Sequence, residues 1–242
     1  MQQSGNLHTP VAVVSGATKG LGRAIAERFA QAGFDLAVCA RTKADLEAMQ
    51  GYWVEHYPSQ TLLTVPADLS QRAEVQHFAN TVCSRWKRID VLVNNAGIFR
   101  PGRICDEPEK TLEFLIEVNL YSAYHLTRAL LPLMLPHQRG HIFNICSIAS
   151  ILAYPNGGSY TISKFALLGF SKALREELKP YGIRVTAILP GATWSDSWRG
   201  VDLPTERLMQ ADDIARLVWS AYELSPSAVV EEIVVRPQLG DL

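Results

Sequence analysis

From Val11 onward the chain alternates between short apolar runs and longer stretches whose apolar residues recur at helical spacing, and this alternation restricts the possible folds more than any other feature. Val11 to Ser15 is an apolar run that ends at glycines, and Leu21, Ile25, Phe29 and Ala32 then share one helical face. The same reading gives strands at Asp35 to Ala40, Thr61 to Val65 and Val91 to Val93, with helices at Lys43 to His56 and Gln71 to Trp86 between them. A long helical stretch from about Pro108 to Met134 follows, which Pro132 and Pro136 should bend or end. Strand His141 to Cys146, helix Tyr160 to Lys179, strand Ile183 to Leu189, helix Asp212 to Glu223 and strand Val229 to Val235 complete the series. Strands joined through helices pair in parallel, so the expectation is an α/β fold with about seven parallel strands and helices on both faces. The least regular part, 190–208, is rich in Gly, Pro, Trp and Ser and reads as a flexible lid with a short helical piece.

A chain of 242 residues with 48% hydrophobic content can bury one substantial core, so a single domain over 1–242 is expected. The formal net charge of −1, without a long run of like charge, argues against a nucleic-acid partner or a polybasic membrane anchor. A small neutral or mildly polar molecule suits it better. Cys39, Cys83, Cys105 and Cys146 show no metal-ligand spacing, so no metal is expected and all four read as free thiols in a reducing compartment. Met1 to Pro10 lack an apolar core and no later apolar stretch is long enough to span a bilayer, which points to a cytoplasmic protein without membrane association.

The turn from Ser15 to Gly22 carries the first chemical signal. Gly16, Gly20 and Gly22, with Thr18, Lys19 and Leu21 among them, follow a strand and open a helix, the context in which backbone N–H groups and a helix N-terminus accept a pyrophosphate. The expected architecture is therefore a doubly wound Rossmann sheet holding a dinucleotide. A carboxylate at the end of the second strand would accept the adenosine ribose 2′-OH and repel a 2′-phosphate, but the chain has Ala40 followed by Arg41, Thr42 and Lys43. That positive charge, with Lys19, favours NADPH/NADP+.

Tyr160 and Lys164 lie four residues apart on one helical face, so the ammonium can sit near the phenol and favour its ionised form. Lowering a phenol from about 10 toward 7 takes roughly 4 kcal/mol, more than one exposed charge pair supplies, so a bound cofactor or partial burial is expected to contribute. Ser147, thirteen positions before Tyr160, adds a hydroxyl. Together with the glycine-rich turn, these residues describe a nucleotide-dependent carbonyl reductase.

Over essentially its whole length the chain resembles the short-chain dehydrogenase/reductase superfamily, through Gly16 to Gly22, Asp68-Leu69, Asn94-Asn95-Ala96-Gly97, Asn119, Ser147, Tyr160 with Lys164, and Pro190-Gly191. The resemblance implies that Asp68 bonds the adenine, that Asn94 to Gly97 steady the central sheet beside the cofactor, and that Thr193 and Ser195 lie near the nicotinamide. It further implies that Tyr160 gives a proton to the substrate carbonyl oxygen while Ser147 holds that oxygen. Lys164 then binds the nicotinamide ribose and lowers the phenol pKa, and Asn119 positions a relay water. Homodimers or homotetramers, paired through the helices at 108–134 and 160–179, are implied as well. Cys146 stands where a serine is common, and Ser195 where a threonine is common.

The ending Val230 to Leu242 lacks the glycine-rich close of ketoacyl-carrier-protein reductases, which weakens that alternative. With Pro190 to Trp198 it looks more like bacterial sepiapterin-reductase-like members, which reduce side-chain ketones on pterins. On that resemblance Trp194 and Trp198 stack on a flat ring and Asp241 pairs with a guanidine-like edge. A catalytically inactive NADP-sensing regulator would be expected to have lost Tyr160, Lys164 or Ser147, and all three are present.

Overall fold

The computed structural model describes residues 8–194 and 204–240. Seven strands form one parallel sheet: β1 (Val11–Ser15), β2 (Asp35–Ala40), β3 (Leu62–Pro66), β4 (Val91–Asn94), β5 (Gly140–Ile145), β6 (Ile183–Pro190) and β7 (Glu232–Val235). Their order is β3-β2-β1-β4-β5-β6-β7. The inner strands are apolar on both faces because both faces are covered, as the continuous runs imply. Ala12 and Val14 on one face of β1 pack with Ile25 and Phe29 of α1 (Gly20–Gln31), Leu46 and Trp53 of α2 (Lys43–His56), and Ile214 and Val218 of α7 (Ala211–Glu223). Val11 and Val13 on the other face join a cluster with Val75 and Phe78 of α3 (Arg72–Arg85), Leu126 and Leu130 of α5 (Ser122–Leu130), and Leu174 and Leu178 of α6 (Gly158–Leu178).

The expected long helix at 108–134 is broken. Lys110 takes a left-handed conformation at φ +67, so helix α4 begins at Thr111 and runs only to Ile116 (Thr111–Ile116). A π-helical turn, Glu117–Tyr121, then separates it from α5, and Pro132 and Pro136 each open a short 3₁₀ turn beyond α5. The last strand is also shorter than its apolar run, starting at Glu232 rather than Val229.

Buried polar residues join the strands where apolar ones would not. Asn94 Nδ2 donates to Asn144 Oδ1 at 2.8 Å and Thr127 Oγ1 at 2.9 Å, tying β4 to β5 and α5. His141 of β5 bonds Thr186 Oγ1 of β6 at 2.7 Å, and that hydroxyl donates to the Val230 carbonyl. Because the Thr186 proton is committed to Val230, His141 Nε2 is the donor of the pair. Among the described residues no helix is long and apolar enough to cross a membrane.

All strands run the same way, so their carboxyl ends share one edge. At that edge the connection from β1 goes one way to β2 while β4 lies on its other side, which opens a crevice between them.

Candidate active site

A cleft of about 1250 Å³ lies along this edge, lined by the glycine-rich turn at one end and by Ser147, Tyr160 and Lys164 toward the other. The turn is built for close approach. Gly16 and Gly20 take left-handed conformations at φ +66 and +53, and a Cβ at Gly22 would overlap Asn95 Nδ2 and the Gly16 carbonyl oxygen. Asn95 Nδ2 donates to Ser15 O and Gly16 O, each at 2.9 Å, and Ser15 Oγ accepts from the N–H groups of Asn95 and Ala96 at 3.0 Å. Helix α1 has no side-chain cap and no acidic residue in its first turn, so its positive end faces the cleft unopposed. These features fit a dinucleotide pyrophosphate.

The structure brings together most of the expected cofactor residues: Thr18, Lys19, Leu21, Arg41, Thr42, Asp68, Leu69, Asn95, Ala96, Gly97, Pro190, Gly191 and Thr193 all line the cleft. Asp68 Oδ1 accepts from Ser70 N at 3.0 Å, which fixes the carboxylate at the end of β3. One neighbour changes the charge argument. Lys19 Nζ pairs with Asp45 Oδ2 at 2.9 Å. Asp45 sits in the first turn of α2, where it also complements the helix dipole, so the rim carries a carboxylate that Ala40 alone conceals.

At the other end, Ser147 is the N-cap of a short 3₁₀ turn, Ile148–Ser150. Its Oγ accepts from Ala149 N at 3.1 Å, which leaves the hydroxyl proton to be donated. Tyr160 is 9% exposed. Burial pushes its phenol up to about 12, while the hydrogen bond with Ser147 pulls in the opposite direction. Lys164 lies 5.9 Å from the centre of the Tyr160 ring, and its Nζ donates to Ile145 O at 3.0 Å. Burial lowers the Lys164 pKa. The expectation that burial would help lower the phenol is therefore reversed in the protein alone, because removal from water penalises the phenolate as well as the ammonium.

Asn119 sits inside the π-helical turn and is fully buried. Its Oδ1 accepts from Ile98 N at 2.7 Å, and its Nδ2 donates to Ile98 O at 3.1 Å and to Ser163 Oγ at 2.9 Å. The amide thus binds the segment after β4 to α6, and a relay water would have to be held by a group other than this side chain.

Beyond Tyr160 the cleft is walled by Ile98, Phe99, Phe114, Leu152 and Tyr154, with Arg236 at its margin. Phe99 meets the Tyr160 ring edge-on at 4.9 Å. Sequence reasoning missed these walls, because Ile98, Phe99, Leu152 and Tyr154 come from segments without periodicity and nothing local to the helix marks Phe114 as facing the cleft. Trp194 does not join them. Thr193 pairs with Met209 in an isolated bridge and turns inward, 6% exposed, so the next side chain on the extended segment points out, 47% exposed. Ser195, Trp198 and Asp241, and the middle of the expected lid, 195–203, lie outside the described residues.

The family profile described as short chain dehydrogenase matches residues 10–203. A sepiapterin reductase from Chlorobaculum tepidum is 36% identical over 96% of this chain and 98% of its own length. Among solved structures, an alcohol dehydrogenase from Thermococcus sibiricus complexed with 5-hydroxy-NADP superposes with a TM-score of 0.88 at 28% identity, covering 97% of this chain and 99% of that one. A metagenomic short-chain oxidoreductase in complex with NADP gives 0.82 at 33% identity, covering 95% and 97%.

Proposed function

The chain belongs to the short-chain dehydrogenase family, and on that premise we propose that it is an NADPH-dependent reductase of a small planar ketone or aldehyde. The carrying observation is the convergence of the Ser147 hydroxyl, the Tyr160 phenol and the Lys164 ammonium in the cleft that also contains the glycine-rich turn. Bound NADPH would supply the hydride. Ser147, its lone pair engaged by Ala149 N, donates its proton toward the carbonyl oxygen and holds it. Tyr160, kept neutral by burial, transfers its proton to that oxygen as negative charge develops there. The phenolate left behind is stabilised by the Lys164 ammonium on the same helix face. The side-chain amide of Asn119 is engaged with Ile98 and Ser163, so its part is to hold the segment after β4 against α6.

Arg41, Thr42 and Lys19 would hold the adenosine 2′-phosphate, and the relatives crystallised with NADP support that choice. Supporting a flat conjugated substrate, including the side-chain ketone of a pterin such as sepiapterin, are the aromatic walls Phe99, Phe114 and Tyr154 and the sepiapterin reductase among the relatives. The enzyme would act in the cytoplasm as a homo-oligomer.

The test is NADPH oxidation against diketones, quinones, ketoacyl thioesters and sepiapterin. At least one class should turn over, and Tyr160→Phe should lower kcat roughly 10²–10⁴-fold while NADPH binding stays measurable. A variant that loses only about twofold would remove Tyr160 from the acid role. Sepiapterin left unreduced would end the pterin reading alone.

A further inference from the structure

The catalytic helix α6 begins without a cap of its own, since Gly157 precedes it and offers no side-chain hydrogen bond. A partner for its first turn comes from 52 residues upstream: Glu107 Oε1 accepts from Ser159 N at 2.9 Å, and Oε2 accepts from the Ser159 hydroxyl. Two glycines make room for that carboxylate. A Cβ at Gly158 would overlap Glu107 Oε1 and the Gly102 carbonyl oxygen, and one at Gly102 would lie 2.7 Å from Glu107 Cγ. Gly102 N also donates to Asn156 O at 2.9 Å, with Asn156 held in the left-handed region at φ +61.

These bonds fasten two segments that form the walls beyond Tyr160. One carries Ile98 and Phe99, the other Leu152 and Tyr154. Ser159, which Glu107 grips through both backbone and side chain, directly precedes Tyr160 in the chain. A cap for the helix would need only the backbone bond; the second bond to the hydroxyl and the glycines shaped around the carboxylate fix its position in two directions.

We infer that Glu107 is a positioning residue, which clasps both substrate-facing segments to the first turn of α6 and so sets the Tyr160 phenol against the walls of the cleft. The inference rests on the carbonyl-reductase reading, which makes that phenol the proton donor. Glutamine at this position keeps the geometry, because its carbonyl accepts from Ser159 N and its amide donates to Ser159 Oγ. Alanine removes both bonds.

The full chain and its Glu107→Ala, Glu107→Gln and Ser159→Ala variants would be compared by steady-state kinetics, by NADPH titration, and by amide hydrogen exchange over 98–110 and 148–160. Glu107→Ala should raise KM several-fold and lower kcat roughly ten- to hundredfold, the scale of a misplaced reacting group. It should hasten exchange in both segments and leave the NADPH dissociation constant within about twofold. Ser159→Ala should move the same quantities less, and Glu107→Gln should restore them. Unchanged kinetics in Glu107→Ala, a Gln variant as impaired as Ala, or a loss of NADPH affinity in step with kcat would overturn the inference. Should the wild type reduce no carbonyl, the functional reading fails by itself, and unchanged exchange in Glu107→Ala separately overturns the clasp.

Discussion

At Tyr160 and Lys164 the same burial acts on two groups of opposite charge, raising the phenol and lowering the ammonium. The raised phenol keeps the resting proton on the tyrosine, where the proposed reaction needs it, and the Ile145 carbonyl that accepts from Nζ offsets part of the cost of the buried ammonium. The i, i+4 spacing made this pair legible, because local helical geometry brings such residues to one face without help from the rest of the fold. Asp45 was not legible in that way. It reaches Lys19 across the cleft from another helix, 26 residues on in the sequence, and no local pattern reports such a meeting. Its carboxylate opposes a 2′-phosphate at the proposed rim, so Asp45→Asn should increase the preference for NADPH over NADH. The expected gain is roughly threefold to fivefold, the scale of an exposed ion pair worth up to about 1 kcal/mol. Arg41→Ala should act in the opposite sense, raising the NADPH KM more than the NADH one. Parallel titration of each variant with both cofactors checks this, and an unchanged ratio in Asp45→Asn would assign Asp45 to α2 alone.

Strand β5 carries an unusual load for an inner strand, with His141 fully buried between two sheet neighbours. Its ring stacks on Phe143 at 3.9 Å, and its Nδ1 has no partner. Burial first, and the Arg184 guanidinium second, hold its pKa well below the usual 6.5. The folded chain therefore binds fewer protons here than the unfolded chain once pH drops under 6.5, so stability is full above that value and is lost as pH falls. A single such group contributes at most about 1.4 kcal/mol per pH unit. His141→Gln, which keeps a donor for Thr186, should flatten the decline in melting temperature between about pH 6.5 and pH 5, and an identical decline in both proteins would rule His141 out. Helices and strands themselves were legible because apolar periodicity survives in the sequence: α2 occupies the expected Lys43–His56. The π-helical turn at Asn119 was not, since one extra residue inside a helix leaves no periodic mark and is imposed by the bonds that Asn119 makes to Ile98 and Ser163.

For the molecule as a whole, the segments expected to pair between copies leave large apolar side chains uncovered. Tyr121 and Tyr124, in the π-helical turn and α5, and Ile162 and Phe165 on α6 are 49%, 37%, 41% and 46% exposed in the single chain. A dimer or tetramer that buries this face should give a multiple of 26.8 kDa by light scattering at micromolar concentration. Phe165→Arg should shift the mass toward the monomer; a monomeric wild type would end the oligomer reading. The sheet order has a consequence of another kind. Synthesis runs from the N-terminus, so β1 is made first, yet it finishes with β2 on one side and β4 on the other. A chain that ends before residue 91 therefore lacks the strand that covers one side of Val11 to Val14, which are fully buried in the finished sheet. Fragments ending before residue 91 should sediment as aggregates more readily than fragments extended through Asn94, whose strand covers that side of β1.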